Sequence, residues 1–146
     1  MNIALLGNGK MGKRIKEIAK KRGHNIIITC SSQEPATSKN LSIADVAIDF
    51  STPDSACKNI IHAINHNIPV VSGTTGWLNE LQKVKNLCYK KKGALLYASN
   101  FSLGMNLFFE LNKKLSKLMK EYNYNTYIHE IHHTEKKDAP SGTSIT

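Results

Sequence analysis

The densest group of chemistry-bearing residues is Glu130-Ile131-His132-His133-Thr134-Glu135-Lys136-Lys137-Asp138-Ala139-Pro140-Ser141-Gly142-Thr143. Two adjacent histidines, a lysine and a Ser-Gly-Thr turn make a cationic, donor-rich pocket suited to a dicarboxylate. Histidine is also the side chain that exchanges a proton near neutral pH. In a strand His132 and His133 would point to opposite faces, so both can meet one ligand only where the strand ends. Glu130 shares the face of His132 and would orient its ring. A zinc reading is weak, because adjacent histidines do not easily ligate one ion and the H-E-x-x-H spacing is absent. No metal is expected.

A second group sits near the N-terminus, where Gly7-Asn8-Gly9-Lys10-Met11-Gly12 lies between a strand pattern and a helix pattern. Glycines let the backbone turn tightly and approach a pyrophosphate, whose charge sits on N–H groups at the helix start. The plainer reading is a tight strand-to-helix turn without a ligand; the placement favours the dinucleotide. The carboxylate that would hold a ribose 2′-hydroxyl is missing: the second strand ends Thr29-Cys30-Ser31-Ser32, with no acid until Glu34. With nothing to reject a 2′-phosphate, and Lys39 nearby, tolerance of NADPH is expected alongside NADH. Gly73-Thr74-Thr75-Gly76 and Ser99-Asn100-Phe101-Ser102 follow later strand patterns, where ligand loops of open α/β sheets lie.

The elements that must position these groups alternate. Short β-rich runs occur at Ile3–Leu6, Ile26–Thr29, Val46–Phe50, Pro69–Val71 and Ala94–Tyr97. Between them lie helical stripes: Met11, Ile15, Ile18, Ala19; then Ala56, Ile60, Ala63, Ile64 behind Pro53; then Leu78, Leu81, Val84, Cys88. Gly104 to Met119 is expected to be helical, with Leu107, Phe108, Leu111, Leu115 and Leu118 on one side. This rhythm predicts an α/β fold, a Rossmann-like parallel sheet with helices on both faces. From Tyr122 to His133 alternation at strand spacing predicts entry into an α+β substrate domain. The expected division is 1–122 for the dinucleotide domain and 123–146 for the start of the second, which looks truncated.

Length and composition narrow the class. The chain has 146 residues, 40% hydrophobic and 21% charged, ordinary globular usage. No apolar run approaches the ~20 residues of a membrane span, and no signal peptide is recognisable, so a cytoplasmic protein is expected. Cys30, Cys57 and Cys88 are an odd, widely spaced set, best read as reduced thiols. The net charge of +9 is mostly lysine spread over several helices, without a recognition-helix or aromatic-basic pattern. Nucleic acid is not an expected partner.

The motifs together resemble the 4-hydroxy-tetrahydrodipicolinate (dihydrodipicolinate) reductase family of lysine and diaminopimelate biosynthesis. The resemblance runs through Gly7–Gly12, Asp49-Phe50-Ser51-Thr52-Pro53, Gly73–Gly76, Ser99–Asn106 and the Glu130–Thr143 signature. It implies NADH- or NADPH-dependent reduction of a small dicarboxylate, with His132 the proton donor and Lys136 a second acid. His133, Ser141, Gly142 and Thr143 would hold substrate carboxylates. Gly7, Asn8, Gly9, Lys10, Met11, Gly12, Gly73, Thr74, Thr75, Ala98, Ser99, Asn100 and Phe101 would line the cofactor. Family members run about a hundred residues further, and a family-like tetramer is implied for the completed chain. The competing readings are an inactive dinucleotide-binding fragment and a different Rossmann reductase, such as a sugar or homoserine dehydrogenase.

Overall fold

β1 (Asn2–Leu6) is buried from Ile3 to Leu6. A strand covered on both faces belongs inside a parallel sheet. In the computed structural model, which describes residues 1–31, 41–132, 134, 136 and 139–146, β1 lies between β2 (Asn25–Cys30) and β3 (Val46–Asp49). Beyond β3 come β4 (Val70–Ser72) and β5 (Leu95–Tyr97), giving a five-stranded sheet of order β2-β1-β3-β4-β5. Every pairing is parallel. The Rossmann-like sheet expected from the rhythm of the sequence is the one formed.

The strands end level. Leu6 pairs with Cys30 on one side and Asp49 on the other, Asp49 with Ser72, and Ser72 with Tyr97. The ladder continues one residue further: the N–H groups of Gly7, Phe50, Gly73 and Ala98 donate to the carbonyls of Cys30, Leu6, Asp49 and Ser72 at 3.1, 2.9, 2.9 and 3.2 Å. The loops that follow these strands therefore leave the sheet from one edge.

α1 (Lys10–Lys21) connects β1 to β2, on one side of β1; α2 (Pro53–Asn65) connects β3 to β4, on the other. Right-handed crossovers running in opposite directions put these helices on opposite faces of the sheet. The side chains follow. Ala4 and Leu6 pack with Ala56, Ile60, Ala63 and Ile64 of α2 and Val84 of α3 (Leu81–Lys91). Leu5 points the other way, toward Gly12 of α1. Ile60 and Ile64 are wholly buried, so truncating either to alanine is expected to cost about 2–5 kcal/mol. The expected α1 face of Met11, Ile15, Ile18 and Ala19 needs correction. Gly12 and Ala19 are the buried positions, while Met11 and Ile18 are 51% and 38% exposed. α1 crosses so close to the loop before it that the inward place goes to a residue without a side chain.

The chain divides into two compact units, Met1–Ala98 and Ser99–Thr146. The second holds α4 (Leu103–Met119) and the short α5 (Gly142–Ile145). Its entrance is built by polar contacts: Asn100 Oδ1 accepts the Ser102 N–H at 2.8 Å, and the Asn106 amide donates to the carbonyls of Asn100 and Ser102 at 3.0 and 2.8 Å. One expectation fails in this unit. The alternating residues after Tyr122 form no strand among the described residues. A strand needs a neighbour, and Tyr127, Ile128 and Ile131 are at least 77% exposed. The helix expected from Gly104 to Met119 is formed, and its stripe of Leu107, Phe108, Leu111, Leu115 and Leu118 is half or more exposed.

Candidate active site

The turn from β1 into α1 is shaped by two close approaches. Gly7 has φ +122°, and a Cβ there would stand 2.1 Å from the Phe50 carbonyl oxygen. A Cβ on Gly12 would stand 2.1 Å from the Gly7 carbonyl oxygen, so the helix can follow the strand this tightly only with glycine in both places. Gly7 and Gly12 form the buried inner wall, and Asn8, Gly9, Lys10 and Met11 form the exposed outer rim. Around Gly9 a Cβ would meet nothing within 4 Å, which leaves room for a ligand's backbone approach. Gly9 is also the N-cap, with no side-chain cap and no acid in the first turn. That helix start suits an anion. Its position is the switch point between β1 and β3, where the order of the sheet reverses. These features fit a dinucleotide's pyrophosphate.

Beside this turn lies a group that sequence reasoning left without a role. Asp49, at the end of β3, is completely buried. Its Oδ1 accepts the Ser51 hydroxyl at 2.7 Å and the Asn59 amide at 3.4 Å. Its Oδ2 accepts the Ser72 hydroxyl at 2.9 Å and the Thr74 hydroxyl at 2.7 Å. Thr74 Oγ1 in turn accepts the Ser51 N–H at 2.8 Å. Burial pushes the Asp49 carboxyl above its ordinary value, and the hydrogen bonds from Ser51, Thr74, Ser72 and Asn59 oppose it without winning. The carboxylate ties β3, α2, the end of β4 and the Gly73–Gly76 loop together. The only sequence signal was an acid ending an otherwise apolar strand.

The Gly73–Gly76 loop is held from below as well. The Trp77 indole N–H donates to the Thr74 carbonyl at 2.8 Å, and its ring meets Tyr97 edge to face at 5.6 Å. Thr74 is buried, whereas Gly73 and Thr75 are half-buried. Ala98 completes the first unit, hydrogen-bonded to Ser72. Gly7–Gly12, Gly73–Thr75 and Ala98 thus meet along one edge of one sheet.

In the second unit the geometry centres on Glu130. Its Oε1 accepts the Ser141 N–H at 3.0 Å, and its Oε2 accepts the Ser144 hydroxyl at 2.5 Å and faces His132 Nε2 at 3.0 Å. Hydrogen bonds from Ser141 and Ser144 pull the Glu130 carboxyl down to about 2, with a smaller share from His132. Ser141 is buried; its hydroxyl accepts the Ser144 N–H at 3.1 Å, capping α5. Gly142 and Thr143 open α5 and are half-buried, as is Lys136. The Ser99 hydroxyl lies 2.8 Å from the Thr146 hydroxyl, which donates to the Gly142 carbonyl at 2.7 Å. This contact brings Ser99 to the Ser-Gly-Thr turn. Asn100 is half-buried and Phe101 exposed. His133, Glu34 and Lys39 lie outside the described residues. Among the described residues, no group of three or more metal-ligating side chains occurs, and no helix is long and apolar enough to cross a membrane.

Comparison with known proteins gives the same outline. Residues 1–101 match the family model described as dihydrodipicolinate reductase, N-terminus, and residues 104–146 the model for its C-terminus. A 4-hydroxy-tetrahydrodipicolinate reductase of Christiangramia forsetii is 52% identical, aligning with 100% of this chain and 62% of its own length. One of Thermosipho africanus is 36% identical over 99% of this chain and 64% of its own length. Among solved structures, the dipicolinate-bound dihydrodipicolinate reductase of Paenisporosarcina sp. TG-14 superposes with a TM-score of 0.66 at 26% identity. That match covers 99% of this chain and 63% of that one. The chain spans a little over three-fifths of the length of these relatives. A putative homoserine dehydrogenase of Archaeoglobus fulgidus superposes over 66% of this chain with a TM-score of 0.54 at 18% identity, a likeness of fold alone. With family models matched along nearly its whole length, the chain belongs to the dihydrodipicolinate reductase family.

Proposed function

We propose that this chain provides the cofactor-binding unit and the proton-donating segment of a 4-hydroxy-tetrahydrodipicolinate reductase. The observation that carries the reading is the Glu130–His132 pair joined to the Ser141–Ser144 turn, on the same chain as the β1–α1 glycine turn. When bound, NADH or NADPH supplies a hydride. Gly7, Asn8, Gly9, Lys10, Met11 and Gly12 receive the pyrophosphate at the start of α1, and Gly73, Thr74, Thr75, Ala98, Ser99, Asn100 and Phe101 line the remainder. Positioning contributes most of what the protein adds to such a reaction.

The substrate is a cyclic dicarboxylate carrying a reducible imine or conjugated double bond. His133, Ser141, Gly142 and Thr143 take its carboxylates, through N–H and hydroxyl donors and cationic charge. His132 gives a proton to the carbon beside the one that accepts the hydride, and Lys136 assists as a second acid. Residues 123–146 belong to the substrate-binding unit in this reading. The completed protein works in the cytoplasm as a homo-oligomer in this reading.

The test is turnover. The chain is completed with the residues that follow the matching stretch in the Christiangramia forsetii relative, and reduction is followed by loss of nicotinamide absorbance. His132→Gln is expected to lower kcat about 10²–10⁴-fold with little change in KM, the usual contribution of a positioned acid. Thr143→Val should mainly raise KM. Near-normal kcat in His132→Gln would return that histidine to a structural role.

A further inference from the structure

Glu130 touches three partners from three places in the chain, and the chemistry of each contact is constrained. A carboxyl held at about 2 is ionised at any working pH. An ionised carboxylate only accepts hydrogen bonds. The ring nitrogen that faces it at 3.0 Å, His132 Nε2, must therefore carry the hydrogen. With that contact kept, neutral His132 is protonated at Nε2 and bare at Nδ1, an acceptor fixing one ring nitrogen and leaving the other for chemistry. The same Oε2 accepts from Ser144, and Oε1 accepts the Ser141 N–H that begins the α5 turn. One carboxylate thus sets both the histidine's nitrogen and the turn that carries Gly142 and Thr143.

We propose that Glu130 is a positioning residue that commits His132 to deliver its proton from Nδ1 while holding the histidine in register with the Ser141–Ser144 turn. The proposal rests on His132 being the proton donor. The cationic ring keeps its Nε2–H on Glu130 throughout. As the substrate accepts a hydride from the reduced nicotinamide, the neighbouring carbon gains carbanion character. Its electron pair forms the new C–H bond with the Nδ1 proton, the Nδ1–H bond breaks, and the ring is left neutral in its Nε2–H form. The substrate is reduced, the nicotinamide is oxidised, and His132 regains a proton at Nδ1 from solvent.

The experiment is long-range ¹H–¹⁵N spectroscopy of the histidine side chains in this chain, with the His132 signals assigned by their loss in His132→Gln. The neutral ring of His132 is expected in the Nε2–H form, with a visible Hε2 proton protected from solvent exchange although the side chain is 37% exposed. Glu130→Ala should abolish that protected signal. Ser144→Ala, which loosens the turn but keeps the Glu130–His132 contact, should retain it. A wild-type His132 in the Nδ1–H form, or without a protected Hε2 signal, overturns the proposal and needs no variant to fold. Persistence of the signal in a folded Glu130→Ala also overturns it. In the completed enzyme, Glu130→Ala should lower kcat about 10–100-fold, part of the ~10²–10⁴-fold a positioned acid contributes, with cofactor KM unchanged. Normal turnover in His132→Gln would instead defeat the donor assignment while leaving the tautomer result intact, so the two failures are distinguishable.

Discussion

Thr74 donates its hydroxyl to the buried carboxylate of Asp49 at 2.7 Å, joining the end of β3 to the loop that follows β4. Asn at position 49 would keep the shape but offer one acceptor oxygen where two serve four donors. Asp49→Asn is therefore expected to lose about 1–3 kcal/mol of stability through unsatisfied buried hydroxyls and to weaken NADPH binding about 10-fold. Thr74→Val should weaken binding similarly, and Thr74→Ser should restore it. Thermal unfolding and cofactor titration check both, and equal affinity in all three variants would separate this hub from the cofactor loops.

Gly12→Val places a branched side chain where even a Cβ would stand 2.1 Å from the Gly7 carbonyl oxygen. Backbone on backbone cannot yield as a flexible side chain does, so the turn must open. The expected outcome is loss of cofactor binding, measured by calorimetry on variant protein whose circular dichroism shows it folded. Unchanged affinity would mean that the pyrophosphate lies elsewhere.

Cofactor choice follows from what is missing after β2. No carboxylate occupies Thr29 to Ser31 to reject a 2′-phosphate. NADPH is expected to bind at least comparably to NADH. A preference for NADH of about 100-fold, ~2.7 kcal/mol, would contradict this. Titration of both cofactors under one buffer decides it.

Acid should act on stability in two separate windows. Burial, then the neighbouring His66, keeps the His62 ring below its ordinary 6.5, and its Nε2 is buried without a hydrogen-bond partner among the described residues. The folded state thus prefers the neutral ring, and the unfolded chain takes up the proton first. Stability is expected to fall as pH drops below about 6.5, and His62→Phe should flatten that slope between about pH 7 and 5. Glu130 is also lowered, from 4.5 to about 2, because hydrogen bonds from Ser141 and Ser144 favour its charged form. Its contribution is complete above about 4.5 and is lost as pH falls toward 2. Urea unfolding followed across pH, with Glu130→Gln as the second variant, resolves the two.

How much of this was readable beforehand depended on where the determining contacts lie along the chain. The sheet was legible because each strand is a short apolar run, and β1, β3 and β4 fall within a residue or two of their expected places. The Gly7–Gly12 turn was legible because its constraint is local. Asp49 was not, since its donors come from Ser51, Asn59, Ser72 and Thr74, and nothing in their spacing announces that one carboxylate gathers them. The strand expected after Tyr122 shows the converse limit. Alternation reports a preference for two faces, whereas a strand also requires a partner's hydrogen bonds.

The interior place of β1, between β2 and β3, has a consequence for how the protein is made. β1 emerges from the ribosome before β3, yet β3 is the neighbour that closes its second long edge. A nascent chain that has reached β2 can form the β1–α1–β2 unit while the apolar Ile3–Leu6 run still presents an open row of amides and carbonyls. That exposed ladder is a template for pairing with another chain. Synthesis of the stretch up to Val46–Asp49 is thus the interval in which a chaperone would matter most, and slowing translation there should raise the insoluble fraction.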